Sequence, residues 1–180
     1  MVYVDKQALE RLLGEACVPQ GISAPDLEDA TDETREAFKK IERLVKVRDR
    51  SVHEVRQRLA RDGYAPAPSE AAVERALSCG YLDDRRFADT LVRSRLRAGK
   101  GLAGVVRELK GQGIDPDALP GFPDEYLEHA PSQSEAAYAL LCRKPPRAKN
   151  QQQAAYAKLI RAGYPAAIAS EATRRWYGSR

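Results

Sequence analysis

The chain is poor in the residues that carry most enzyme chemistry. Its 180 residues include two histidines, His53 and His129, and three cysteines, Cys17, Cys79 and Cys142. Neither histidine has a second ligand type beside it at metal spacing, so no metal site is expected. Three distant thiols form neither a disulfide framework nor a zinc pattern, and they read as buried structural cysteines. Asp83 and Asp84 precede a helical pattern, where capping accounts for them better than acid–base catalysis. No catalytic residue and no cofactor is expected. Aromatics make up only 7% of the chain, with a single tryptophan, which disfavours a β-sandwich. No run approaches the roughly 18 apolar residues of a membrane span, and no basic segment followed by an apolar stretch opens the sequence. The expected location is the cytoplasm.

What the chain does have is a repeat of 50 residues. Leu59, Leu109 and Leu159 are each followed four residues later by Gly63, Gly113 and Gly163, and then by Tyr64, Ile114 and Tyr164. Ile41, Leu91 and Leu141 align with the same period, as do Val55, Val105 and Ala155, and Ala76, Tyr126 and Trp176. A period in this range marks a tandem array of one supersecondary unit whose apolar face is completed by neighbours. The expected fold is all-α: three tandem three-helix repeats, nine helices in all, in an elongated, curved array. The expected divisions are an acidic extension over 1–36 and helical repeats over 37–80, 81–130 and 131–180.

Local patterns supply the helices. Asp5, Leu9, Leu12 and Leu13 suit a short amphipathic helix in the extension. Ala37, Phe38, Ile41, Leu44 and Val45 follow helical spacing. Ser51 with Glu54 three residues on is a capping box for a second helix through Val55 and Leu59. Glu70–Cys79 carries Val73, Ala76 and Leu77 as the third. In the middle repeat, Asp83 is placed as an N-cap and Leu82 can staple onto Phe87. Phe87, Ala88, Leu91 and Val92 form its buried stripe. A helix from Gly101 contains Val105, Val106 and Leu109, and Ile114-Asp115-Pro116 starts another despite Pro120 and Pro123. The last repeat runs through Ala137, Tyr138, Leu140 and Leu141, breaks at Pro145-Pro146, and resumes with Ala155, Leu159 and Ile160. Pro165 then opens a helix containing Ile168, Ala172 and Trp176.

Gly99-Lys100-Gly101-Leu102-Ala103-Gly104 matches G-x-G-x-x-G formally. It follows a charged helix rather than a buried strand, so a dinucleotide site is not expected. The segment reads as a helix-to-helix joint, with one functional alternative: amides at Gly101 to Ala103 beside Lys100 meeting a phosphate.

Charge is divided unevenly. Residues 1–36 carry nine acidic and three basic side chains, a net of −6; the whole chain is +4, leaving +10 on residues 37–180. A basic array suits an anionic partner such as nucleic acid or a nucleoprotein surface. Arg86, Arg93, Arg97 and Lys100 follow at spacings of 7, 4 and 3 opposite the apolar stripe, and Arg107 and Lys110 lie on the next helix. These six are the candidate partner-binding residues.

The chain resembles the RecX family of regulatory proteins. The resemblance rests on Arg50-Ser51 with Glu54 and Leu59, on Gly80-Tyr81-Leu82-Asp83-Asp84 with Arg86-Phe87-Ala88, and on Arg95, Gly99-Lys100-Gly101, Glu108-Leu109 and Gly113-Ile114. It covers about residues 37–180 and is most specific in the middle repeat. It implies a non-enzymatic, monomeric crescent that inserts into the groove of the RecA–single-stranded DNA filament. There it restrains filament growth, strand exchange and coprotease activity, and so acts in recombination, DNA repair and the SOS response. Two departures stand out: Leu102-Ala103 replace the proline usual after Gly-Lys-Gly, and the third repeat diverges. The alternative from the residues alone is a DNA-binding helical repeat protein without a RecA partner. Second helices poor in base-reading side chains, apart from Arg56-Gln57-Arg58, weigh against it. An adaptor that binds only protein explains the repeat but not the charge.

Overall fold

The computed structural model describes residues 31–179. The helix expected around Leu9, Cys17 and most of the acidic extension lie outside the described residues. Among the described residues there are nine α-helices and no strand. They are α1 (Asp32–Val45), α2 (Val52–Arg61), α3 (Pro66–Ser78), α4 (Asp84–Arg97), α5 (Leu102–Gly111), α6 (Asp124–Glu128), α7 (Gln133–Arg143), α8 (Gln151–Ala162) and α9 (Ala166–Gly178).

The repeated marks perform the same job three times. Leu59, Leu109 and Leu159 are completely buried, as are Val55, Val105 and Ala155. After each leucine the helix closes on a left-handed glycine, with φ of +91° at Gly63, +72° at Gly113 and +94° at Gly163. The next amide reaches back to the leucine carbonyl: Tyr64 N to Leu59 O at 3.2 Å, Ile114 N to Leu109 O at 3.0 Å, Tyr164 N to Leu159 O at 3.1 Å. That is a Schellman closure, which satisfies carbonyls that the helix end leaves orphaned and favours a residue without Cβ.

The chain divides into two compact units. In the first, residues up to Arg48 combine with Val55–Leu82. Ala37 and Ile41 of α1 are buried, as are Ala72, Val73 and Ala76 of α3, which packs against it. Arg75 lies 4.9 Å over the Phe38 ring, and Leu77, on the same helix as the buried Val73 and Ala76, is exposed. Cys79 is half-buried and Cys142 exposed, which corrects the expectation of buried thiols.

The second unit holds Asp49–Glu54 with everything from Asp83 onward. The short segment joins it through polar bonds that sequence spacing does not reveal. Ser51 Oγ donates to Gln112 Oε1 at 2.6 Å, and Val52 N donates to Asp84 Oδ1 at 2.9 Å. Ser51 Oγ also accepts Glu54 N at 3.0 Å, as the capping box requires, but the Glu54 carboxylate turns to Arg50, 3.6 Å away. Asp84 therefore caps the start of α2 while Asp83 caps α4.

Two apolar clusters fill this unit. One gathers Phe87, Ala88, Val92 and Leu96 of α4 with Val105 and Leu109 of α5, Ile114, Leu119 and Tyr126. Leu91 is only partly buried beside it. The helix expected after Ile114 is broken into a 3₁₀ turn at Pro116–Ala118 and the five-residue α6. Pro120 and Pro123 lack the amides an unbroken helix needs, and Gly121 between them has φ of +68°. The other cluster joins Ala137 and Leu141 of α7, Ala155 and Leu159 of α8, Tyr164, and Ala169, Ala172 and Trp176 of α9. Arg175 stacks 4.1 Å over Tyr138, repeating Arg75 over Phe38 at a distance of two repeats in sequence.

Candidate partner-binding face

Helix α4 presents the candidate cations because its ends and its buried face are fixed. Asp83 Oδ1 accepts Arg85 N at 2.9 Å and Arg86 N at 3.0 Å, and Phe87, Ala88, Val92 and Leu96 turn inward. Arg86, Arg93 and Arg97 therefore leave on the other side. The helix ends at Arg97, and Gly99 with φ of +80° redirects the chain. Helical spacing does not extend to Lys100.

The six candidates differ in what holds them. Arg86 Nε lies 3.5 Å from Asp49. Arg93 Nε donates to both Asp89 oxygens at 3.0 Å, and its guanidinium sits 5.0 Å over the Tyr126 ring. The hydrogen bond from Arg93 holds the Asp89 carboxyl below its usual pKa, and the same bond raises Arg93. Lys100 bonds Glu108, which also receives Arg95 Nε at 2.9 Å and Nη2 at 2.7 Å. By contrast Arg97, Arg107 and Lys110 are exposed and form no ion pair among the described residues. Arg107 and Lys110 project from the side of α5 opposite Val105 and Leu109. An ion already paired gives up its partner on binding; these three do not.

Glu108 was absent from the candidate set, although its spacing of 13 from Arg95 joins α4 to α5. Hydrogen bonding from Arg95, with a further contribution from Lys100, lowers the Glu108 carboxyl against the opposing pull of burial. A carboxyl whose folded pKa is depressed stabilises the fold above its unfolded pKa, and that stability disappears as pH falls through the folded value. Glu108→Gln should therefore lower the melting temperature at neutral pH and flatten its decline below about pH 4.5. Parallel acid melting curves of variant and parent would remove Glu108 from this role.

The glycine-rich string is a packing joint. Gly101 N donates to Ala162 O at 2.9 Å, Leu102 N to Gln133 Oε1 at 3.1 Å, and Tyr164 Oη to Gly99 O at 2.8 Å. The amides of Gly101 and Leu102, two of the three in the phosphate reading, are thus engaged within the protein. A Cβ on Gly101 or Gly104 would come within 2.4 Å of the backbone at Gly163 or Ala162. The glycines permit two helix ends to touch.

Burial pushes the Tyr164 hydroxyl up to about 12. A raised folded pKa means that stability is fully present below the unfolded value near 10 and is lost as pH rises toward 12. In an absorbance titration one tyrosine should ionise after the others, and Tyr164→Phe should remove that late step. A late step that survives the substitution assigns it elsewhere.

The sequence matches two family models: RecX, first three-helix domain, over residues 37–75, and RecX, second three-helix domain, over residues 83–119. Regulatory protein RecX of Vibrio parahaemolyticus is 32% identical over 122 residues, which are 66% of this chain and 74% of that protein. This chain belongs to the RecX family. RecX of Mycolicibacterium smegmatis is 38% identical over 99 residues, 53% of each chain. RecX of Halorhodospira halophila is 36% identical over 88 residues, so the match spans about half the length of both these relatives. The crystal structure of RecX from Lactobacillus salivarius superposes with a TM-score of 0.58 at 17% identity, covering 81% of this chain and 97% of that one. That likeness establishes the helical repeat fold. The matched models lie on α1–α3 and on α4–α5 with the 3₁₀ turn, and so include the candidate face.

Proposed function

We propose that this protein is a non-enzymatic regulator that binds the RecA–single-stranded DNA filament in its helical groove and restrains recombinase and coprotease activity. Membership of a family whose relatives are regulatory proteins carries the reading. The exposed cations of α4 and α5 support it, because a filament presenting phosphate and acidic protein surface attracts charges that are not neutralised internally. Arg97, Arg107 and Lys110 are the primary contacts. Arg86, Arg93 and Lys100 contribute by exchanging intramolecular carboxylates for filament groups.

The test is inhibition of RecA-driven strand exchange by parent protein and by the Arg97→Glu/Arg107→Glu/Lys110→Glu triple variant. The variant should require about tenfold more protein, since each exposed charge contact contributes up to about 1 kcal/mol. The difference should shrink as salt rises, because screening limits exposed charges to about 8 Å at physiological ionic strength. Equal inhibition at low salt would move the contact off this face. Binding of the parent to bare duplex as tightly as to the filament would favour the DNA-binding alternative.

Arg93 is a poor probe of the same surface. Reversal to glutamate sets a second carboxylate beside Asp89 and uncovers Tyr126. Arg93→Glu should lower the melting temperature as well as inhibition, whereas Arg97→Glu should lower inhibition alone; thermal melts of the two variants check this.

A further inference from the structure

The third repeat differs from the first along one groove, and the differences share a direction. In the first repeat Arg56 of α2 and Glu70 of α3 join their helices with a two-pronged ion pair, Nε and Nη2 lying 2.9 and 2.7 Å from the carboxylate. Two repeats on, the equivalent positions in α8 and α9 are Tyr156 and Ser170, which cannot form that pair. An open groove stands there instead. Gln152 and Gln153 of α8 bring side-chain amides to it, Ser170 and Thr173 of α9 bring hydroxyls, and Tyr156 and Arg174 complete its walls. A primary amide has a donor side and an acceptor side, as a peptide group does.

Charge and apolar surface change with it. The first two repeats have Glu74 and Asp124 where the third has Arg174. The groove continues past Asn150 to Lys149, and no carboxylate lines either part. Arg174 and Lys149 are exposed and make no ion pair among the described residues. On α8, Tyr156 and Ile160 stand one turn apart and each shows 38% of its surface. The first repeat has Arg56 and Ala60 at these positions and the second has Val106 and Lys110, so the exposed apolar stripe belongs to the third repeat alone.

An independent observation marks the floor. Val73 of the first repeat is replaced by Thr173, which is only 3% exposed and whose Oγ1 has no hydrogen-bond partner. A hydroxyl so placed carries a desolvation cost that a ligand's polar group relieves.

We propose that the α8–α9 groove docks an extended acidic segment of a protein partner, one in which carboxylate and apolar side chains alternate. Side chains recur on one edge of an extended chain about every 7 Å, and four residues of helix advance about 6 Å. Two apolar side chains on one edge therefore meet Tyr156 and Ile160 on the α8 wall. The carboxylates of the other edge meet Arg174 on the α9 wall, with Lys149 at the open end. Main-chain groups between them pair with Gln152 and the Thr173 hydroxyl. Two cations set among amides and hydroxyls suit a few spaced carboxylates rather than an unbroken run of phosphates. The site lies on helices other than α4 and α5, and it stands or falls without RecA.

The experiment is a nuclear magnetic resonance titration of the full nitrogen-labelled chain, RecA absent, with a blocked Asp-Leu repeat peptide of about eight residues. The peptide should give saturable shifts at the Thr173 and Arg174 amides and at the Gln152 side-chain amide. An Asn-Leu peptide should bind about tenfold more weakly, for want of the charge. Tyr156→Ala should weaken the Asp-Leu peptide about tenfold, whereas Tyr156→Phe should bind like the parent, because the ring makes the contact. Arg174→Glu should lose the Asp-Leu peptide and gain a Lys-Leu peptide that the parent does not bind, an exchange that misfolding cannot produce. Thr173→Val, the first repeat's residue, should weaken binding about threefold while raising the melting temperature, since it removes the orphaned hydroxyl. Absence of saturable shifts at these positions, equal binding of the Asn-Leu peptide, or an Arg174→Glu variant that gains nothing from the Lys-Leu peptide would each overturn the assignment. So would equally effective displacement by an oligothymidylate of the same charge, which would make the groove a general anion surface. The same shifts on raising the protein concentration alone would give the groove to a second copy of the chain and overturn it too.

Discussion

Gly163→Ala should destabilise the second unit by about 2 to 5 kcal/mol. Two costs combine. A left-handed backbone at φ +94° disfavours any Cβ by about 1 to 2 kcal/mol. The Cβ would also fall 2.0 Å from Gly104 N, a distance that only backbone movement can relieve, and such overpacking costs roughly 1 to 3 kcal/mol more. The repeat supplies its own control. Gly63 and Gly113 hold the same cap at φ of +91° and +72°, but a Cβ at either meets nothing within 4 Å. Alanine there should cost only the conformational part, about 1 to 2 kcal/mol. Denaturant melts of the three alanine variants should separate Gly163 from the others. Three equal losses would mean that the α5–α8 joint relaxes without penalty.

Phe87→Ala should cost about 3 to 5 kcal/mol, the usual result of emptying a buried aromatic site. Phe87 is 7% exposed and sits in one cluster with Val92, Leu96, Val105 and Leu109. No flexible neighbour fills the space, since these side chains are short and largely fixed by their helices. Leu77→Ala makes the contrast, because Leu77 is exposed and its loss should change stability by less than about 0.5 kcal/mol. A shift in denaturation midpoint for Leu77→Ala as large as that for Phe87→Ala would contradict this assignment of inner and outer faces.

These two predictions rest on different kinds of information. Phe87 was identifiable as core from the spacing of Phe87, Ala88 and Val92, because a helix with one apolar stripe has only one way to face the interior. The meaning of Gly163 was only half legible. Its place after Leu159 announced a helix cap, but its contact with Gly104, 59 residues earlier, depends on where two helices come to rest. The same limit explains the G-x-G-x-x-G string: spacing counted its glycines correctly and said nothing of what approached them.

Charge was legible as a sum and illegible as a surface. The net of +10 on residues 37–180 follows from composition. Which of those cations are already neutralised does not. Arg93 met Asp89 one helical turn away, a pairing that sequence spacing contains. Lys100 met Glu108 only because α4 and α5 turn back on one another at Gly99. Arg97, Arg107 and Lys110 stand apart by having no such neighbour among the described residues.

The sequence by itself determined the helical class, the 50-residue period, the leucine–glycine helix closures and most of the inner positions. Each of these is set within one helix or its cap, by periodicity, by hydrogen bonds spanning five residues and by the freedom of glycine at positive φ. Tertiary structure decided the break of the middle repeat's last helix into a 3₁₀ turn and α6, the docking of Ser51 and Val52 on the second unit, the division of the cations into paired and free, and the opening of the α8–α9 groove. Those outcomes depend on side chains distant in sequence competing for the same space and the same hydrogen-bonding groups, and that competition is resolved only when the helices pack.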